Sequence, residues 1–234
     1  MTIPTYLLGL DLGQAHDYSA WITAERSKDA DEESCYDVRH IDRVRGARYP
    51  AIVAHTADLI TALRSSDPKP AVHLVVDYTG VGRPVADMLV DAKLDCTLRL
   101  VTITGADTVT RGETGELRVP KRDLASGVQV LLQSERLRIG KDLPHATTLT
   151  DELVNFKVKI SLAGHDSYGA GADWREGNHD DLVLALALAC WFGEHRMPPP
   201  SVAAWGAPRR SGSHGERRAL PDNGFSTSIG RGWR

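Results

Sequence analysis

The chain has 234 residues, 41% of them hydrophobic and 25% charged, with a formal net charge of −3. That balance describes a globular protein with one main core, and it excludes a disordered polyelectrolyte; any grip on nucleic acid has to come from local patches, because bulk positive charge is absent. Cys35, Cys96 and Cys190 are far apart and form no CxxC pair, so neither a disulfide framework nor a zinc knuckle is supported, and reduced thiols in a cytoplasm are expected.

In chain order, MTIPTYLLGLDLG has no basic leader and carries Asp11 where a secretory signal would be apolar, so export is not expected. YLLGLDLG is a short apolar run closed by glycine, the pattern of a strand buried on both faces. YSAWITAERS and YDVRHIDRVR alternate on either side of KDADEES and predict two more strands. PAIVAHTADLITALR sets Ile52, Val53, Leu59, Ile60 and Leu63 at helical spacing behind Pro50. AVHLVVDYTG followed by RPVADMLVDA predicts a strand, a turn and a helix, and CTLRLVTIT a fifth strand. The glycine- and threonine-rich GADTVTRGETGE reads as an exposed loop.

VPKRDLASGVQVLLQSERLRI predicts a helix with Leu124, Val128 and Leu131 in register, then a short strand LRI. HATTLTDELVNFKVKI repeats the amphipathic pattern with Leu149, Leu153, Phe156 and Ile160. SLAGHDSYGAGADWREGN reads as a glycine-rich connection shaped as a loose hairpin. The helix that follows, in GNHDDLVLALALACW, is apolar from Leu182 to Phe192, roughly half of the ~20 residues a membrane span needs. One domain is therefore expected over residues 1–196, with no membrane anchor. Residues 197–234, rich in Pro, Gly, Ser and Arg and without periodicity, are expected to be a disordered tail. Its six arginines, against Glu216 and Asp222, suit either contact with nucleic acid or a partner, or a solvated end.

Two acids stand in contexts that packing does not explain. Asp11 lies inside one apolar strand and Asp77 at the end of another, and buried carboxylates are costly without donors or a metal. If the two strands are adjacent and parallel, the carboxylates converge at the strand ends where open α/β sheets bind ligands. Asp180 and Asp181 begin the last apolar helix, where the helix dipole keeps a carboxylate ionised. Three such acids suit Mg²⁺ or Mn²⁺, which take oxygen ligands. Each residue also has a structural reading: Asn178 or Asp180 as a helix cap, and Asp77 as the first residue of a turn.

GLDLGQAHDYSA, VVDYTGVGRPVADML, RVPKRDL, LQSERLRI, LVNFKVKI and REGNHDDLVLALALACW resemble, in this order, the nuclease domain of phage large terminase subunits. The resemblance runs from about Leu8 to Trp191. It implies an α/β RNase H-like fold, a central mixed sheet whose first three strands are antiparallel, flanked by helices. The implied activity is cleavage of double-stranded viral DNA during genome packaging, with two Mg²⁺ or Mn²⁺ ions. Carried over by position, Asp11, Asp77 and Asp181 are the implied catalytic metal ligands, with Asp180 as the assisting acid. Lys121 matches a lysine that would neutralise a phosphate near the cut. Arg111, Arg118, Arg122, Arg175 and His179 are candidate contacts to the DNA backbone.

No GxxxxGK[ST] phosphate loop occurs in this sequence, so the resemblance implies a nuclease half, either a separate gene product or a fragment, that works with a separate terminase ATPase, a small terminase and a portal. The resemblance further implies work in the cytoplasm of a host cell. Three other readings stay open: a Holliday-junction resolvase or RNase H-type nuclease of the same fold; an inactive nuclease-like module that binds DNA in a packaging complex; and an actin-like ATPase or sugar kinase, which needs two large lobes.

Overall fold

The computed structural model describes residues 3–13, 17–29, 32–65, 69–80, 82–163 and 180–197. The chain divides into two units, Met1–Ala203 and Ala204–Arg234, and all the described residues belong to the first. Of the hairpin expected over residues 161–178, residues 161–163 end a helix instead, and the rest, like the disorder expected beyond Met197, lies outside the described residues.

Three apolar and alternating segments form β1 (Thr5–Asp11), β2 (Tyr18–Lys28) and β3 (Ser34–Arg45). β2 is antiparallel to both of its neighbours, as expected. Helix α1 (Tyr49–Arg64), with proline in its first turn, returns the chain to β4 (Ala71–Asp77), which lies parallel to β1 on its other side. Helix α2 (Gly82–Asp91) leads to β5 (Thr97–Thr104), parallel to β4.

The stretch read as an exposed loop contains β6 (Thr110–Arg111), which forms a short antiparallel hairpin with β7 (Leu117–Pro120) just beyond it. The Gly112 N–H closes it on the Glu116 carbonyl at 2.8 Å. β7 then pairs in parallel with β5, so Val119 and Pro120 are strand rather than helix. Helix α3 (Lys121–Gln133), β8 (Leu137–Ile139), helix α4 (Ala146–Ala163) and helix α5 (Asp181–His195) complete the elements of the described residues.

The sheet order is β6-β7-β5-β4-β1-β2-β3-β8. A mixed sheet with its first three strands antiparallel and helices on both faces is the RNase H-like arrangement. One face packs on α1 and α2 through Leu8, Leu10, Trp21, Leu74 and Val76. The other packs on α3, α4 and α5 through Leu7, Ala20, Val75, Val101 and Leu117.

Twelve consecutive residues of α5, Leu182 to Gly193, are buried, which is why its sequence is apolar all round. It lies close against β1, where a side chain on Gly9 would overlap the Ala185 carbonyl. A Cβ on Gly193 would fall 2.7 Å from Leu7 Cδ1. Moving up β1 from Leu7 to Gly9 therefore moves down α5 from Gly193 to Ala185, so the start of α5 meets the carboxyl end of β1. Among the described residues no helix is long and apolar enough to cross a membrane.

Candidate active site

Side chains alternate across a strand, so Leu7, Gly9 and Asp11 share the α5 face of the sheet while Leu8 and Leu10 pack on the other. In β4, Val75 and Asp77 share the α5 face by the same alternation. The parallel register pairs Leu10 with Val76, and one further step sets Asp11 beside Asp77. Neighbouring strands lie ~4.8 Å apart. Two carboxylates, 7% and 9% exposed, thus stand side by side at the carboxyl ends of two parallel strands, facing the start of α5.

Asp77 also begins a turn. Its Oδ1 accepts the N–H of Thr79 at 2.8 Å, Gly80 follows at φ 63°, and the Thr79 hydroxyl accepts the N–H of Ile103 at 2.9 Å. The turn reading of Asp77 therefore applies: the turn uses one carboxylate oxygen and fixes where the group sits.

At the start of α5, Asp180 occupies the N-cap position, but its side chain makes no cap hydrogen bond. Glu152 of α4 does that work instead. Its Oε2 accepts the N–H groups of Leu182 and Val183 at 3.0 and 3.2 Å, two of the donors a helix start leaves without partners. Of the two caps expected from the sequence, Asp180 makes no side-chain cap bond and Asn178 lies outside the described residues. Burial pushes the Glu152 carboxyl up to about 7, against the opposing pull of the Val183 N–H and of Arg43.

Arg43 of β3 joins this group. It lies on the row Asp11, Ala20, Arg43 across β1, β2 and β3, its guanidinium 3.7 Å from the centre of the Tyr18 ring. One nitrogen reaches Asp181 Oδ2 at 3.1 Å and another Glu152 Oε1 at 3.4 Å. Arg43 and Glu152 are 9% and 7% exposed and Asp181 14%. The guanidinium thus bridges the two carboxylates that frame the first turn of α5.

Neither Arg43 nor Glu152 was singled out from the sequence. Glu152 falls on the helical stripe of Leu149, Leu153 and Phe156, an acid on an apolar face, and that was the available signal. Arg43 offers no comparable signal, because its partners are 109 and 138 residues away.

The remaining candidates spread outward. Lys121 follows β7 at the same end of the sheet as the acids, with Nζ 5.5 Å from the centre of the Phe156 ring. Arg122 pairs with Asp107 at 2.7 Å, tying the loop after β5 to α3. Arg118 sits 3.5 Å from Glu116. Arg111 lies three strands from Asp77, about 14 Å across the sheet. Arg175 and His179 lie outside the described residues.

Among the described residues, no three His, Cys, Asp or Glu side chains are grouped closely enough to hold a metal ion. The buried pair Asp11 and Asp77 nevertheless matches a hard divalent cation, which takes carboxylate oxygens and keeps waters for its other positions.

No family profile and no curated protein sequence matches the chain. Among solved structures, the human cytomegalovirus terminase nuclease domain, Mn soaked, is similar at 12% identity and a TM-score of 0.47, over 82% of this chain and 84% of that one. Thermus thermophilus RuvC is similar at 9% identity and a TM-score of 0.38, over 82% and 93%. RuvC from that organism in complex with Holliday junction substrate gives 13% identity and a TM-score of 0.29 over the same shares.

Proposed function

We propose that the protein is a divalent-metal-dependent endonuclease that cuts double-stranded DNA during viral genome packaging in a host cytoplasm. The observation that carries this reading is the placement of Asp11 and Asp77, two buried carboxylates side by side on the α5 face of adjacent parallel strands. In this reading Asp11, Asp77 and Asp181 hold two Mg²⁺ or Mn²⁺ ions, with Asp180 assisting. Divalent cations held there supply Lewis acidity and a low-pKa water for phosphodiester hydrolysis.

The chain's own residues set the stage for that chemistry. The Thr79 N–H orients one oxygen of Asp77, as Arg43 orients one oxygen of Asp181. Glu152 fixes the first turn of α5, so that Asp180 and Asp181 arrive at the ends of β1 and β4 in one register. Lys121, at the same end of the sheet, neutralises a phosphate. Arg111, Arg122, Arg175 and His179 follow the DNA backbone and carry no base code. A terminase ATPase drives the DNA, with a small terminase and a portal as further partners.

Relaxation of supercoiled plasmid in Mg²⁺ or Mn²⁺ tests the reading. Cleavage is expected, with loss in Asp11→Asn and in Asp77→Asn. Linear duplex should be cut faster than a four-way junction or an RNA–DNA hybrid. Preference for the junction or the hybrid would replace packaging with a resolvase or RNase H role, and undiminished cleavage by both folded variants would remove the site.

A further inference from the structure

The pairing of β5 is uneven along its length. β4 pairs with it from Thr97 to Val101, whereas β7 pairs with it only from Val101 to Thr104. Among the described residues, no strand covers the outer side of Thr97–Leu100. A groove of about 670 Å³ runs along that edge, between the end of α2 and the end of α5. Its apolar walls include Leu94 and Val90 on one side and Phe192 on the other, and Val90 is 54% exposed.

Lys93, Arg99, Arg111 and Arg196 surround the groove. None of them forms an ion pair among the described residues. Glu116, the one carboxylate on its lining, already accepts the Thr114 hydroxyl at 2.6 Å and sits 3.5 Å from Arg118.

We propose that this groove binds an extended acidic segment of a partner protein, which adds a strand beside Thr97–Leu100 and sets its carboxylates against Arg99 and Arg196 on the α5 side. An open strand edge offers main-chain hydrogen bonds to an incoming strand. Its apolar side chains turn to the α2 wall of Leu94 and Val90, and the acidic ones alternating with them turn to the α5 side, as the period of a strand requires. A nucleic-acid backbone would use the cations and leave the open apolar surface of Leu94 and Val90 uncovered. The groove also stands apart from the acids. α5 has fifteen residues, about 22 Å of helix, with Asp181 at its start and Phe192 near its end. The inference does not rest on the nuclease reading.

The test uses the full chain and a fluorescent octapeptide alternating valine and glutamate, followed by anisotropy. Saturable binding is expected, weakened about tenfold or more by Arg99→Glu and by Arg196→Glu, two exposed positions, in variants checked for fold by circular dichroism. N-methylation of alternate peptide amides should weaken it equally, and Asp11→Asn should bind as the parent does. Three results would overturn the proposal: no saturable binding; binding indifferent to N-methylation, which marks a charge patch alone; or tighter binding of single-stranded oligothymidylate that the same variants abolish.

Discussion

Arg43 holds Asp181 across 3.1 Å, and this contact ties the third strand of the sheet to the first turn of its last helix. A carboxylate held at one oxygen by a partner outside the metal's own shell is pre-oriented, and loss of such partners typically costs 10–100-fold in metal affinity. Arg43→Ala is accordingly predicted to raise the Mn²⁺ concentration for half-maximal cleavage by ~10-fold or more, with Arg43→Lys restoring part of it. Asp181→Asn should lower the maximal rate further than Asp180→Asn. Cleavage titrated against Mn²⁺ for the four variants checks this, and equal losses at Asp180 and Asp181 would assign the ligand role to both.

Removing Glu152 takes away the acceptor of two α5 N–H groups and one of the two carboxylates on a buried guanidinium. Breaking a buried ion pair from one side costs about 3–5 kcal/mol. Glu152→Ala is predicted to lose about 3 kcal/mol in urea unfolding, while Glu152→Gln, which keeps a carbonyl acceptor, should lose less. A loss below about 1 kcal/mol in the alanine variant would show that the cap contributes little.

The raised Glu152 carboxyl has a signed consequence for pH. Its value of about 7, above the ordinary 4.5, means that the native state binds this proton more tightly than the unfolded chain. The stability it contributes is whole below pH 4.5 and is lost as pH rises through about 7. Unfolding free energy of the metal-free protein should therefore carry a falling component across that window, which Glu152→Gln removes. An identical slope in parent and variant, measured by urea unfolding at a series of pH values, would contradict the assignment.

Gly9 has no room for a side chain, because a Cβ there would overlap the Ala185 carbonyl on α5. Overpacking of this kind costs about 1–3 kcal/mol. Gly9→Ala is predicted to lower stability by that amount and to lower cleavage as well, since α5 is the element that brings Asp180 and Asp181 to the sheet. Thermal unfolding and plasmid cleavage read the two effects, and an unchanged melting temperature would show that α5 moves without cost.

Much of the architecture was legible because burial leaves a mark in composition. The apolar runs through Leu7 to Leu10 and Val72 to Val76 announce strands covered on both faces, and an aspartate ending each run stands out against them. The alternation of β2 and β3 was equally plain. The β6-β7 hairpin was not: with two residues in β6, its pairing is set by neighbours rather than by any periodicity, and glycines at 112 and 115 read as loop. The part of Glu152 in capping α5 was hidden for a related reason. Asp180 satisfies every local rule for a cap, yet tertiary packing brings Glu152 to the same amides, and local rules carry no information about a carboxylate 30 residues away.

Calorimetric titration of the metal-free protein with Mn²⁺ tests the central claim most directly, because it reads the site without requiring turnover. The parent should bind Mn²⁺, and a double variant with Asp11→Asn and Asp77→Asn, shown to be folded by circular dichroism, should lose that binding. Unchanged Mn²⁺ binding by the folded double variant would contradict the assignment of Asp11 and Asp77 as the metal-holding pair.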